Sequence, residues 1–201
     1  MRDILSSVSV SLLLCAPLLA QGGGRFEENK RLGLAALRDG KYERAAAKLE
    51  EVYEADPNDA LIAESLAIAY MNSEERKQDP TLDDKAQKIL ARLLEKGGRA
   101  VFHVQLNLSS TFYGSSLTKF CSGPLIIEPG KLTFQCEKGD VKPEYSFTFV
   151  PSEIKEMGDH FDKGRGMFFI KGLKKTYNFY PAAWDKYQGK MILDFVNQYV
   201  R

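Results

Sequence analysis

The chain is poor in the residues from which most catalytic centres are built. It has two histidines, one tryptophan and three cysteines in 201 residues. Two imidazoles cannot make a three-histidine zinc centre. His103 alternates with apolar neighbours and reads as a solvent-facing or half-buried strand residue. His160 stands in the loop Gly158-Asp159-His160-Phe161-Asp162. Asp159, His160 and Asp162 could hold a metal, but sequence neighbours in a glycine-flanked loop read more simply as a solvated turn. There is no glycine-rich phosphate loop, no nucleophile elbow, and no Cys/His pair with an orienting partner. Ser109, Ser110, Ser115 and Ser116 have no partner that the sequence can name and read as loop residues.

Excess charge is lacking too. The net charge of +1 leaves no overall electrostatic pull toward nucleic acid or an anionic membrane. The two halves differ mildly. Residues 25–96 carry 13 basic and 16 acidic groups, net −3, and residues 97–201 carry 14 and 10, net +4. Long apolar runs are confined to the start. Arg2 precedes an apolar stretch from Ile4 to Leu19, with the small Ala20 at its edge. This is the pattern of an export signal over residues 1–20, cleaved near Ala20-Gln21. An uncleaved N-terminal anchor is the alternative. A lipoprotein through Cys15 is disfavoured because Leu14, before it, is large. The expectation is a secreted or periplasmic, soluble mature protein.

Residues 25–97 read as helices. Apolar positions recur at three- and four-residue spacing: Leu32, Ala36, then Ala45, Leu49, Val52, Tyr53, then Leu61, Leu66, Ala69, Tyr70, then Ala86, Ile89, Leu90, Leu93. Asp39-Gly40-Lys41 and Asp56-Pro57-Asn58-Asp59 are breaks, with Asn58 or Asp59 as an N-cap. Gly97-Gly98 ends the fourth helix. Within this pattern stand Leu32-Gly33, Gly40-x-Tyr42-x-x-Ala45, Leu49, Pro57 and Leu66-Ala67-x-x-Tyr70, with Ala67 falling 34 residues after Gly33. That spacing resembles a tetratricopeptide (TPR) unit followed by a second whose turn is lengthened by Arg76-Lys77-Gln78-Asp79-Pro80-Thr81. An ordinary four-helix segment is the alternative. Two units are fewer than a free-standing array needs, so the C-terminal half is expected to cover the last helices.

The resemblance implies a protein-binding groove on the first helix of each unit. The matching positions are Glu27, Lys30, Leu34, Leu37 and Arg38, then Leu61, Glu64, Ile68 and Met71. Lys30 falls where relatives place a carboxylate-clamp lysine. Leu34 and Ser65 stand where the clamp would have asparagines, so that mode is incomplete here. Leu34, Leu37, Ile68 and Met71 are expected to hold either an apolar partner or the neighbouring domain.

Residues 98–201 change period. Phe102, Val104, Leu106 and Leu108 alternate with His103, Gln105 and Asn107. Leu125-Ile126-Ile127, Pro129-Gly130 and Leu132-x-Phe134-x-Cys136 form a hairpin, and Tyr145 to Val150 another strand. Gly166 to Ile170 and Thr176 to Tyr180 form a second hairpin over a tip carrying Lys171, Lys174 and Lys175. A last helix from about Ala182 carries Trp184, Met191, Ile192, Phe195 and Tyr199 on one stripe. The run Ser122-Gly123-Pro124-Leu125-Ile126-Ile127-x-Pro129-Gly130-Lys131-Leu132-x-Phe134, with Phe147-x-Phe149-Val150-Pro151-x-x-Glu153-Ile154 and the Trp184 helix, resembles the pleckstrin-homology-like (PH-like) fold and its GRAM relatives. The resemblance implies an antiparallel β-barrel capped by a C-terminal helix. Phosphoinositide binding is not expected, because Ser109 to Ser122 holds only Lys119 as a cation.

The expectation is therefore an α+β protein: a two-unit TPR-like helical domain, then a PH-like barrel. It reads as an exported, non-enzymatic adaptor binding a protein or peptide, with no cofactor and no nucleic acid. The alternatives are a metal-dependent or serine hydrolase on the β half and a purely structural envelope component.

Cys121 and Cys136 remain once the signal is removed, an even count that suits an oxidising compartment. If Pro129-Gly130 is the turn, Glu128 pairs with Lys131 and Gly123 faces Cys136. The cysteines are then diagonal neighbours on one face, bonded after a small bulge or left as two buried thiols. Intact mass measured before and after reduction separates these. A bond makes the oxidised chain about two mass units lighter, by loss of two thiol hydrogens, and an unchanged mass rules it out.

Overall fold

Turn residues set the helix ends. The computed structural model describes residues 19–108, 119–139, 142–159, 166–182 and 186–201. Four helices come first: α1 (Leu19–Arg38), α2 (Tyr42–Ala55), α3 (Ala60–Asn72) and α4 (Thr81–Glu95). Gly40 adopts the left-handed conformation at φ 72°, and the amides of Gly40 and Lys41 satisfy the carbonyls of Leu37 and Ala36. α1 begins at Leu19, upstream of Phe26, where the apolar period becomes regular. Asp59 caps α3 by accepting from the amides of Leu61 and Ile62. α1 and α2 approach closely at Gly33, where a side-chain carbon would stand 2.7 Å from Leu49. Ala45 and Ala67 are fully buried. α3 is buried nearly all round, as a central helix must be, whereas α4 buries one stripe: Leu82, Ala86, Ile89, Leu90, Leu93 and Leu94. The lengthened turn between them folds as a 3-10 helix, Glu74–Lys77. Glu43 of α2 fastens it by accepting from Ser73 Oγ and the Glu74 amide, at 3.0 and 2.8 Å.

Eight strands follow: β1 (Ala100–Asn107), β2 (Phe120–Glu128), β3 (Lys131–Phe134), β4 (Lys138–Gly139), β5 (Phe147–Phe149), β6 (Glu156–Asp159), β7 (Phe168–Lys171) and β8 (Thr176–Pro181). Every ladder is antiparallel, in the order β5-β3-β2-β1-β8-β7-β6, with β4 continuing β3 along β2. Glu128 pairs with Lys131 across Pro129-Gly130, and Gly130 has φ 71°. From there the register runs unbroken to Leu125–Phe134 and then slips by one residue, because Ser122 pairs with Lys138. Three residues, Gln135 to Glu137, oppose two, Gly123 and Pro124, which is a β-bulge. Pro124, with no amide to donate, sits at this break in the ladder. At Gly123 a side-chain carbon would fall on the carbonyl oxygen of Gln135. Cys136 on the bulge is joined to Cys121, their Cα atoms 5.6 Å apart.

The sheet curls into a half-barrel rather than closing. No ladder joins β5 to β6 among the described residues, which form a half-barrel where the sequence led to the expectation of a β-barrel. Both edge strands are short, and Pro151 follows β5 at the 3-10 turn Pro151–Glu153. Rings, not hydrogen bonds, bridge the gap. Phe147 of β5 lies 4.1 Å from Tyr177 of β8, centroid to centroid, and Phe149 lies 5.4 Å from it. Phe134, Phe179 and Phe168 continue this seam inward, with Phe134–Phe179 at 5.4 Å and Phe168–Phe179 at 5.3 Å.

The last helix, α5 (Lys186–Phe195), runs into a π-type turn, Val196–Val200. Met191, Ile192, Phe195, Val196 and Val200 are buried, and the Phe195 ring lies 6.0 Å from Phe102 of β1. The Tyr199 carbonyl accepts from the Gly130 amide at 2.8 Å, pinning the β2–β3 turn to the helix. Tyr199 also reaches Ala91 of α4. Helices and sheet therefore share one apolar core. Trp184, expected on this helix, lies outside the described residues, as do His160 and the serines from Ser109 to Ser116. Replacing Gly123 with alanine should push the Gln135 crossing outward and destabilise the protein by about 2–3 kcal/mol. The check is the urea midpoint of the oxidised protein, with Gly24→Ala in α1, where the added carbon meets open space, as a control that should hold or slightly raise the midpoint.

Candidate functional site

The residues assigned to a groove on α1 and α3 reach different fates. Lys30 donates to Asp59 at 2.6 Å. Glu64 is held by the guanidinium of Arg99 at 2.9 and 3.2 Å. Met71 is buried at 2% exposure. Leu34, Leu37 and Ile68 are half-buried against the core. Leu61, at 55%, and Arg38 stand in solvent, and Glu27 is exposed. Two of the four charges of the expected groove, Lys30 and Glu64, are thus committed to internal ion pairs, and its deepest apolar residue belongs to the core.

Asp59 illustrates how tightly that face is bound. It caps α3 and accepts from Lys30. The ammonium of Lys30 and then the capped amides hold its carboxyl below the ordinary aspartate range, against the opposing effect of burial. The same bond raises Lys30. Further along α3, Tyr70 hydrogen-bonds Glu50, and burial and then this carboxylate raise its hydroxyl far above the ordinary tyrosine value. Lys85 of α4 lies 5.4 Å from the centre of the Tyr70 ring and pairs with Glu50 at 3.3 Å. α2, α3 and α4 are joined at that point.

A cleft lies elsewhere, where the 3-10 corner Glu74–Lys77 faces the start of α5. It encloses about 770 Å³. Met71 and Pro80 supply apolar lining, Ala182 and Tyr187 form the wall from the β half, and Glu74, Lys77 and Asp84 are charged groups around it. Arg76 and Asp83 pair at 2.5 Å and hold the corner to α4, and Arg76 also donates to the Met71 carbonyl at 3.0 Å. Tyr187 is 62% exposed. Of these residues the sequence marks only Met71 as a candidate site residue, and residues 76–81 read as an enlarged turn. Their polarity was the available signal, since a long polar turn next to an apolar helix end can wall a cleft.

Among the described residues no group of three or more histidine, cysteine, aspartate or glutamate side chains is placed to hold a metal ion. His103 is exposed on the outer face of β1, and its carbonyl accepts from the Ala182 amide. No helix among the described residues is long and apolar enough to cross a membrane. No protein-family model matches this chain, and a search of curated proteins finds no match.

The Asp59 arrangement carries a signed pH dependence. A carboxyl held below its unfolded value stabilises the fold fully above about pH 4, the unfolded aspartate range, and the contribution is lost as pH falls through the lower folded value. Asp59→Ala should cost about 1–2 kcal/mol at neutral pH by removing the cap. The difference between wild type and variant in chemical denaturation should shrink toward zero as the pH drops well below that range.

Proposed function

We propose that this chain is an exported, non-enzymatic adaptor that grips a peptide segment of another protein in the cleft between the 3-10 corner and α5. The observation that carries the reading is the cleft itself. At about 770 Å³ it is in the size range of ligand sites, and it lies where the two halves meet, a common position for them. Its apolar lining, beside the ion pairs Arg76–Asp83 and Lys77–Glu74 and the carboxylate of Asp84, suits a peptide carrying one large apolar side chain between polar ones.

We read the helical half as two TPR-like units. The close approach at Gly33, the buried Ala45 and Ala67 and the capped break at Asp59 support this. We read the half-barrel with its terminal helix as PH-like, supported by the order of hairpins and by α5 against the concave face. In this reading the inter-helix groove of the TPR-like units is mostly used internally, and recognition passes to the cleft beside it. The apolar stretch from Ile4 to Leu19 supports export.

Selection from a displayed random-peptide library on the full chain should yield peptides with one shared large apolar residue. Tyr187→Ala should weaken the selected peptides about tenfold, as loss of an aromatic anchor does, with an unchanged thermal midpoint. Leu61→Ala, at the other end of α3, should leave binding intact. If Leu61→Ala abolishes binding and Tyr187→Ala does not, the α1/α3 face is the site and the cleft assignment is wrong. Failure to select any peptide overturns the adaptor reading.

A further inference from the structure

We propose that the tip of the β7–β8 hairpin is a second docking surface, for an acidic polypeptide segment. Four large apolar side chains stand well into solvent among the described residues: Leu61, Val150, Leu173 and Tyr187. Two of them belong to one end of the half-barrel. Leu173 sits in the tip that the Gly172 amide closes onto the Lys175 carbonyl at 2.9 Å, and it is 55% exposed. Gly172 rests on the ring of Phe149, where a side-chain carbon would stand 2.7 Å from it. Val150, the next residue, is 43% exposed. The curl of the sheet has therefore brought the end of β5 beside the hairpin tip, and each contributes one exposed apolar residue.

Lysines surround this pair. Lys175 stands over Tyr177, 4.7 Å from the ring centre, and 6.0 Å from the Tyr145 ring. Lys142 approaches Tyr145 at 5.9 Å. Lys174 is exposed at the tip. The Lys155 amide donates to the Lys171 carbonyl at 2.9 Å, which puts a fourth exposed lysine at the foot of the hairpin. Lys171 itself pairs with Glu156 at 3.1 Å. Among the described residues Lys142, Lys155, Lys174 and Lys175 form no ion pair. Lysines at a sheet edge commonly serve solubility alone. Solubility accounts for the charges here but not for two apolar side chains exposed among them.

Charge complementarity selects the occupant. The cations call for carboxylates, and Leu173 with Val150 calls for an apolar residue between them. Glu156 pairs with Lys171 and Glu153 accepts from the Val150 amide, so carboxylates stand beside the lysines and Val150. A flat anionic surface would meet those carboxylates together with the cations. A polypeptide can place its own acidic residues one at a time against Lys142, Lys174 and Lys175 and avoid them. Aromatic support under Lys175 holds that ammonium in place before binding, which lowers the ordering cost.

The test uses the full chain and a fluorescently labelled peptide of glutamates with interspersed leucines, read by anisotropy. A peptide with lysine at every glutamate position and phosphatidylcholine–phosphatidylserine vesicles are the comparison probes. Wild type should bind the acidic peptide alone, more weakly as salt rises. Lys174→Glu should weaken it about tenfold through charge reversal. Because Lys174 is exposed, this variant should keep its circular dichroism spectrum and thermal midpoint. Leu173→Ser should weaken binding while leaving its salt dependence. Tyr187→Ala, which alters the cleft, should bind the acidic peptide like wild type, so failure here is distinct from failure of the cleft. Equal binding of both peptides, no loss in Lys174→Glu, or binding to vesicles without binding to the peptide each overturns the proposal.

Discussion

The burial of α5 and its π-type extension against the concave face of the sheet is the contact on which the rest depends. An open, curled sheet presents Phe102, Leu125, Ile127, Leu132 and Phe134 on its inner side, all fully buried here. With no ladder between β5 and β6, something must fill that hollow, and Phe195, Val196 and Val200 do so. The same segment reaches α4 through Tyr199 and the β2–β3 turn through the Gly130 amide. The helical half needs it equally, because two hairpins of helices leave their last face without a neighbour. Each half is the other's missing layer. This explains why one apolar cluster runs from Ala36 to Val200.

That mutual need decides what the α1/α3 face can do. A longer helical array keeps an inner surface for partners because its ends are covered by further repeats. Here Arg99, just after α4, turns back to neutralise Glu64, and Lys30 is drawn to the α3 cap. The face is stabilised by becoming less available. The open space moves to the corner where helices and sheet do not match perfectly, beside Met71 and Tyr187.

Local chemistry made much of this fold legible in the sequence. Gly33 and Ala45 mark the helix approach because only small residues permit it, and Pro129-Gly130 sets the hairpin register through φ alone. The turn register placed Gly123 opposite Cys136, close to what the bulge produces. Features that depend on distant partners were not legible. β6 reads Glu-Met-Gly-Asp, with no alternation to reveal a strand, and becomes one because β7 pairs with it. The sheet stops short of closure because β5 has three residues and a proline close behind, and the rings that bridge it come from β8. The cleft is formed from two stretches about a hundred residues apart, each with an unremarkable polar pattern, so no local signal marks it.

The pin between Gly130 and Tyr199 also bears on the order of events during synthesis. The first hairpin leaves the ribosome well before the residues that hold its turn. Until the segment from Lys186 to Val200 emerges, the concave face and the outer stripe of α4 have no cover, so both halves remain incompletely packed while the chain is still growing. Completion of both layers therefore waits for the segment Lys186–Val200, whatever the helices and hairpins have formed on their own by then.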